Sequence, residues 1–110
     1  MDLFFRTTIY DLDDTIWFIG KSKTGKLSAI KGTVVEIIHT ISISKGENIY
    51  YLIGTTTDPH IPFYEKAGNY YFLYFKQGDF FDTREDCRRE IKLIKYRKES
   101  KYNTYLKQKP

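Results

Sequence analysis

Residues 70–94 read YYFLYFKQGDFFDTREDCRREIKLI, and this stretch decides the fold class. Its first six residues are aromatic apart from one leucine, a composition that packs well on a pleated, half-buried surface. In an extended chain successive side chains alternate between faces. Tyr70, Phe72 and Tyr74 therefore share one side, and Tyr71, Leu73 and Phe75 the other. Lys76-Gln77-Gly78-Asp79 is turn chemistry, and Phe80-Phe81 reads as a second short strand. A helix start follows. Thr83 with Asp86 three residues later, ahead of an apolar-periodic run, has the capping-box pattern, with Asp82 and Glu85 as the alternative one residue earlier. Cys87, Ile91 and Ile94 then fall at i, i+4 and i+7, one face of a helix. Arg88, Lys92 and Lys95 repeat that spacing about 100° further round, and Glu85–Arg89 is a favourable i,i+4 pair. The stretch predicts a helix laid over a sheet.

Outward from it, residues 31–44 (KGTVVEIIHTISIS) fit either periodicity: Val35, Ile37, His39, Ile41 and Ile43 alternate, while Ile30, Val34, Ile37, Ile38 and Ile41 form a helical stripe. Propensity decides for a strand, because eight of the twelve residues from 33 to 44 are Thr, Val or Ile, which lose side-chain freedom in a helix. Lys45-Gly46-Glu47-Asn48 then turns into a strand at 49–53, making a long hairpin. Upstream, residues 2–10 allow a strand, Asp11–Asp14 is a polar turn, and 15–19 is a strand ended by the turn cluster 20–26. Residues 54–69, with Pro59 and Pro62, read as one long polar loop, a kind often given over to function. Residues 97–110 carry many lysines and no apolar periodicity, so a frayed or partner-dependent basic tail is expected behind a single domain at 1–96. The expectation is a mostly β, α+β domain: a small antiparallel barrel or strongly curved sheet of five to six strands with one C-terminal helix.

The formal charge of +4 is mild but unevenly spread. Residues 84–110 hold ten Lys/Arg against four Asp/Glu, leaving the rest of the chain at −2. That asymmetry fits an acidic partner, or a solvated helix face. One cysteine, Cys87, excludes an internal disulfide framework and a multi-cysteine metal site; on the apolar helix face it is expected as a small buried hydrophobe. No secretory signal and no bilayer-length apolar run is visible, so a cytoplasmic, non-membrane protein is expected.

Two resemblances attach to particular residues. Asp11-Leu12-Asp13-Asp14-Thr15 matches the D-x-D-x-T signature of haloacid-dehalogenase-like phosphatases. That resemblance implies Asp11 as nucleophile and Asp13 as acid/base around Mg²⁺, with Thr55 and Asp79 or Asp82 standing in for later motifs. Against it, that family needs a parallel sheet with crossover helices, for which one predicted helix is too few. DDTIWFI, KGTVVEI, YYLI and GDFFDTREDCRREI together resemble small SH3-like β-barrel proteins of phages and mobile elements, over about residues 8–94. The sharpest match is Phe81, Thr83, Glu85, Cys87 and Ile91. Asp13 stands where that pattern has glycine, and 54–69 is longer than usual. This resemblance implies an SH3-like fold and, if phage-encoded, action inside a host cell.

His39 is expected as a hydrogen-bonded strand histidine. Asp58 and His60 in the long loop are candidates for binding, but two ligands do not make a metal site; no metal and no cofactor is expected. The functional expectation is a non-catalytic binding protein that occupies a protein partner, such as host or defence machinery. It would use Tyr70, Tyr74, Arg88, Arg89, Lys92 and Lys95. A nucleic-acid-binding barrel using the basic helix is the alternative, and a miniature Mg²⁺-dependent phosphatase the third reading. Confinement of the positive charge to one helix, away from any groove between strands, favours protein over nucleic acid.

Overall fold

The structure, a computed structural model, describes residues 10–108 and side chains as far as residue 97. Five strands, β1 (Thr15–Lys21), β2 (Leu27–Ser42), β3 (Gly46–Thr55), β4 (Glu65–Ala67) and β5 (Tyr70–Lys76), precede one helix, α1 (Arg84–Gln108). Every pairing between these strands is antiparallel, in the order β1-β2-β3-β5-β4. The domain is thus the expected mostly β, α+β unit, and its sheet is open. The strand expected at 2–10 lies outside the described residues except for Tyr10.

The sheet is strongly curled. Phe18 on β1 and Phe75 on β5 have ring centroids 5.0 Å apart, although β2 and β3 lie between those strands. In a flat sheet three spacings of about 4.8 Å would hold β1 and β5 about 14 Å apart. A register shift between Val34 and Glu36 marks a bulge in β2, a feature that bends a strand. At Gly32 an added Cβ would run into Ile53, so glycine lets the core close over β2. The outer edge of β1 is covered by two backbone bonds with Phe81, Trp17 N–H to Phe81 O at 2.8 Å and the reverse at 2.7 Å, and by Lys21 N–H to Pro59 O at 2.8 Å. Covering an edge in this way blocks pairing with other chains.

The inner face holds the core: Ile16, Phe18, Ile30, Val34, Ile49, Tyr51, Ile53, Leu73 and Phe80. Alternation along each strand delivers these residues, and Leu73 and Phe75 sit on the inward row read from the sequence. Tyr51 is fully buried, and its hydroxyl donates to Gln77 Oε1 at 2.9 Å. Tyr10 packs on Tyr51 and Phe80. Burial, and then a hydrogen bond with Asp82, raise its pKa well above the usual phenol value.

The helix lies on the other face of the sheet. Trp17 pairs with Lys31 and Ile19 with Ala29, all on the side opposite Ile16, Phe18 and Ile30. Arg84 stands 5.8 Å over the Trp17 ring. Cys87 and Ile91 are buried yet outside the inner cluster, so they form a second, smaller apolar layer under the helix. Thr83 caps it as expected, its Oγ1 accepting from Asp86 N–H at 3.1 Å.

Four local expectations change. Phe80-Phe81 is not a strand: Phe80 is buried in the core and Phe81 makes a single bridge to Trp17. Residues 54–69 are not wholly irregular, because β4 pairs with β5 across a two-residue turn in which Gly68 takes a φ of 59°. Arg89 pairs with Asp86, three residues before it, at 3.2 Å, in place of Glu85. The segment 97–110, expected as a tail, continues the helix through Gln108.

Candidate binding site

The two acidic motifs turn out to be turn chemistry. Asp13 adopts a φ of 70°, a left-handed conformation that Asp tolerates better than most residues. Its N–H donates to Val34 O at 2.8 Å, and Asp14 accepts from Asp11 N–H at 2.8 Å. Thr55 is buried, and its hydroxyl donates to Lys31 O at 2.8 Å. The described strands pair only antiparallel, unlike the parallel sheet that the D-x-D-x-T resemblance implies around Asp11 and Asp13. Asp58 likewise closes its own turn, accepting from His60 N–H at 2.9 Å, while His60 Nδ1 lies 3.8 Å from its carboxylate. Among the described residues no three ligating side chains converge. Pro59 between them is fully buried, which makes this loop a clasp on β1.

The basic residues do converge. Arg84, Arg88, Lys92 and Lys95 follow the helix at i, i+4, i+8 and i+11, just beside the buried stripe of Cys87 and Ile91. Docking that stripe on the sheet forces the basic row to overhang β2. There the four side chains, with Ile91, face Leu27, Ser28 and Ala29 across a groove of about 250 Å³. Among the described residues no carboxylate lies within 4 Å of any of the four. Like charges this close raise the potential of the groove and attract anions. Arg89 points elsewhere: it is paired with Asp86, and lines a shallower hollow with Glu85, Arg88 and Lys92.

A second depression adjoins the groove. Lys31, Gly32 and Thr33 of β2, Gly54 and Thr55 at the end of β3, Thr56, Thr57 and Tyr70 line about 360 Å³. Ala29 in the groove and Lys31 in the depression share the outer face of β2, two residues or about 6.6 Å apart. The register Thr33↔Gly54↔Phe72 carries that face across the sheet. At Gly54 the missing side chain keeps the floor low: an added Cβ would lie 3.3 Å from Phe72 and 3.4 Å from Val35. Tyr70 is half exposed and stacks on Phe72, with centroids 6.3 Å apart and planes at 24°. Tyr74 sits further along, edge-on to Tyr64 at 4.6 Å. Desolvation, and then a hydrogen bond with Tyr64, raise its pKa.

Of the residues singled out in the sequence, Arg88, Lys92 and Lys95 come together. Tyr70 lines the second depression with Lys31, Arg89 lies in the hollow beside the groove, and Tyr74 stands aside. Arg84, Lys31, Thr56 and Thr57 were missed. Arg84 had a signal in its position four residues before Arg88, whereas Lys31 shows its place only once the register is known. Comparison with protein-family models, curated proteins and solved structures finds no match.

Proposed function

We propose that this is a small non-catalytic binding protein whose partner is a nucleic acid, held where the helix overhangs the sheet. The observation that carries this reading is the groove itself: four cations on one wall, none of them ion-paired with a described carboxylate, while Glu85 borders Arg88 and Lys92 only in the neighbouring hollow. From sequence alone, charge confined to one helix and tail, not lining a groove between strands, favours a protein partner. The fold puts that same row along a groove between helix and strand, and the balance moves to the polyanion. Phosphates would contact Arg84, Arg88, Lys92 and Lys95, positioning the ligand without reading its sequence. No helix among the described residues is long and apolar enough to cross a membrane, and a cytoplasmic site of action, in a host cell if the gene is a phage's, fits this reading.

A protein partner keeps one specific support, the exposed Phe63, Tyr64, Tyr70 and Tyr74 on the β4–β5 side, since aromatic residues are enriched at interfaces. Fluorescence anisotropy with a labelled oligonucleotide in a salt series separates the two. Four phosphate contacts at about 0.7 each give a log–log slope of about −2.8 for a single strand, and Arg88→Ala/Lys92→Ala should halve it. Absence of binding at low salt, or a slope indifferent to that pair, overturns the reading.

A further inference from the structure

We infer that the nucleic acid is single-stranded and that one unpaired base lies in the depression against Tyr70, while the backbone runs past Lys31 to the basic row of the helix. This rests on the nucleic-acid reading and goes beyond it by naming the form of the ligand and a base subsite. Three observations carry it.

The first is continuity. Lys31 lines the depression, its cross-strand partner is Trp17, and Trp17 lies beneath Arg84. Lys31 and Arg84 therefore flank Trp17 on the outer face, between Tyr70 and the helix groove. The second is the ring. Phe72 stacks beside Tyr70, and the Tyr70 ring stays half exposed where it lines the depression, open to a flat ligand. Stacking of this kind needs a base freed from its partner, because in a duplex both faces of each base are already covered. The third is the lining. Thr33, Thr56 and Thr57 carry hydroxyls that both donate and accept, and Lys31 adds a cation. Such groups bond to the edge of any base, so the subsite is expected to tolerate sequence. The combination of a positive track and an aromatic platform is what sequence-tolerant single-strand binding requires.

The test compares a labelled fifteen-nucleotide oligo-dT with a duplex of the same length, by anisotropy at fixed low salt. Single strand is expected to bind at least tenfold tighter than duplex. Tyr70→Ala should weaken it by about 5- to 150-fold, the range for loss of one stacked base. Tyr70→Phe should stay within about twofold, because the ring is kept. Thr56→Glu, which places a negative charge in the depression on an exposed side chain, should weaken the single strand comparably and serves if Tyr70→Ala lowers thermal stability. Duplex binding as tight as single strand, or wild-type affinity in both Tyr70→Ala and Thr56→Glu, overturns this inference while leaving groove binding intact. Failure of both oligonucleotides to bind overturns the nucleic-acid reading with it.

Discussion

Ile91→Ala tests whether the helix is truly fastened to the outer face of the sheet, on which the groove depends. Ile91 is 7% exposed and lies outside the inner core, in the thin layer it shares with Cys87. The substitution removes three carbons, about 0.8 kcal/mol each, so the transfer loss is about 2.4 kcal/mol. A cavity penalty adds little, because Ile91 also lines the groove and the space left opens to solvent. With a urea m-value of about 1.2 kcal/mol/M for a domain of this size, the midpoint should fall by about 2 M. Trp17 is the single tryptophan, is half-buried, and sits under Arg84 at the helix–sheet contact. Its fluorescence therefore reports undocking directly. Leu93→Ala on the exposed side of the same helix should cost less than about 0.5 kcal/mol. Equal effects of Ile91→Ala and Leu93→Ala would refute the docking described here, and the groove with it.

Three further outcomes follow from single contacts. Thr83→Ala, which removes the acceptor for Asp86 N–H, should lower stability by about 0.5–2 kcal/mol, measurable by the same urea titration. Gly32→Ala, whose new methyl would run into Ile53, should cost about 1–3 kcal/mol; a neutral result would mean the strand yields there freely. Burial pushes the Cys87 thiol up to about 11, so at pH 8 only about one molecule in a thousand carries the reactive thiolate. Labelling by a thiol reagent should then be slow until the protein unfolds. Because the folded value is raised, the contribution of Cys87 to stability is complete below the unfolded thiol's pKa and is lost as pH rises through about 11.

The strand rows and the helix start were legible because each rests on local rules: the alternation at 70–75, the Thr/Val/Ile density at 33–44, and the Thr83 cap. β4 was not, because three exposed residues carry no periodicity; their pairing is set by the turn at Gly68-Asn69 and by Phe72 across from Glu65. The site was less legible still. Both faces of β1 are apolar, Ile16 and Phe18 on one and Trp17 and Ile19 on the other, so sequence alone does not say which face the helix covers. That choice decides whether Arg84, Arg88, Lys92 and Lys95 overhang a strand or face open water. Lys31 becomes a site residue only through its register with Trp17. Arg89 shows the limit in reverse: Glu85 and Asp86 both lie at favourable helical spacings, and geometry selects Asp86.

The most direct test of the account is a nuclear magnetic resonance titration of the ¹⁵N-labelled protein with oligo-dT, following every backbone amide. The account predicts shift changes at Lys31, Thr33, Thr56, Thr57 and Tyr70 on the sheet and at Arg84, Arg88, Lys92 and Lys95 on the helix, moving together with one dissociation constant. Changes confined to the turn at Asp11–Asp14 or to the hairpin end around Thr40–Asn48, or a spectrum that does not respond, would contradict it.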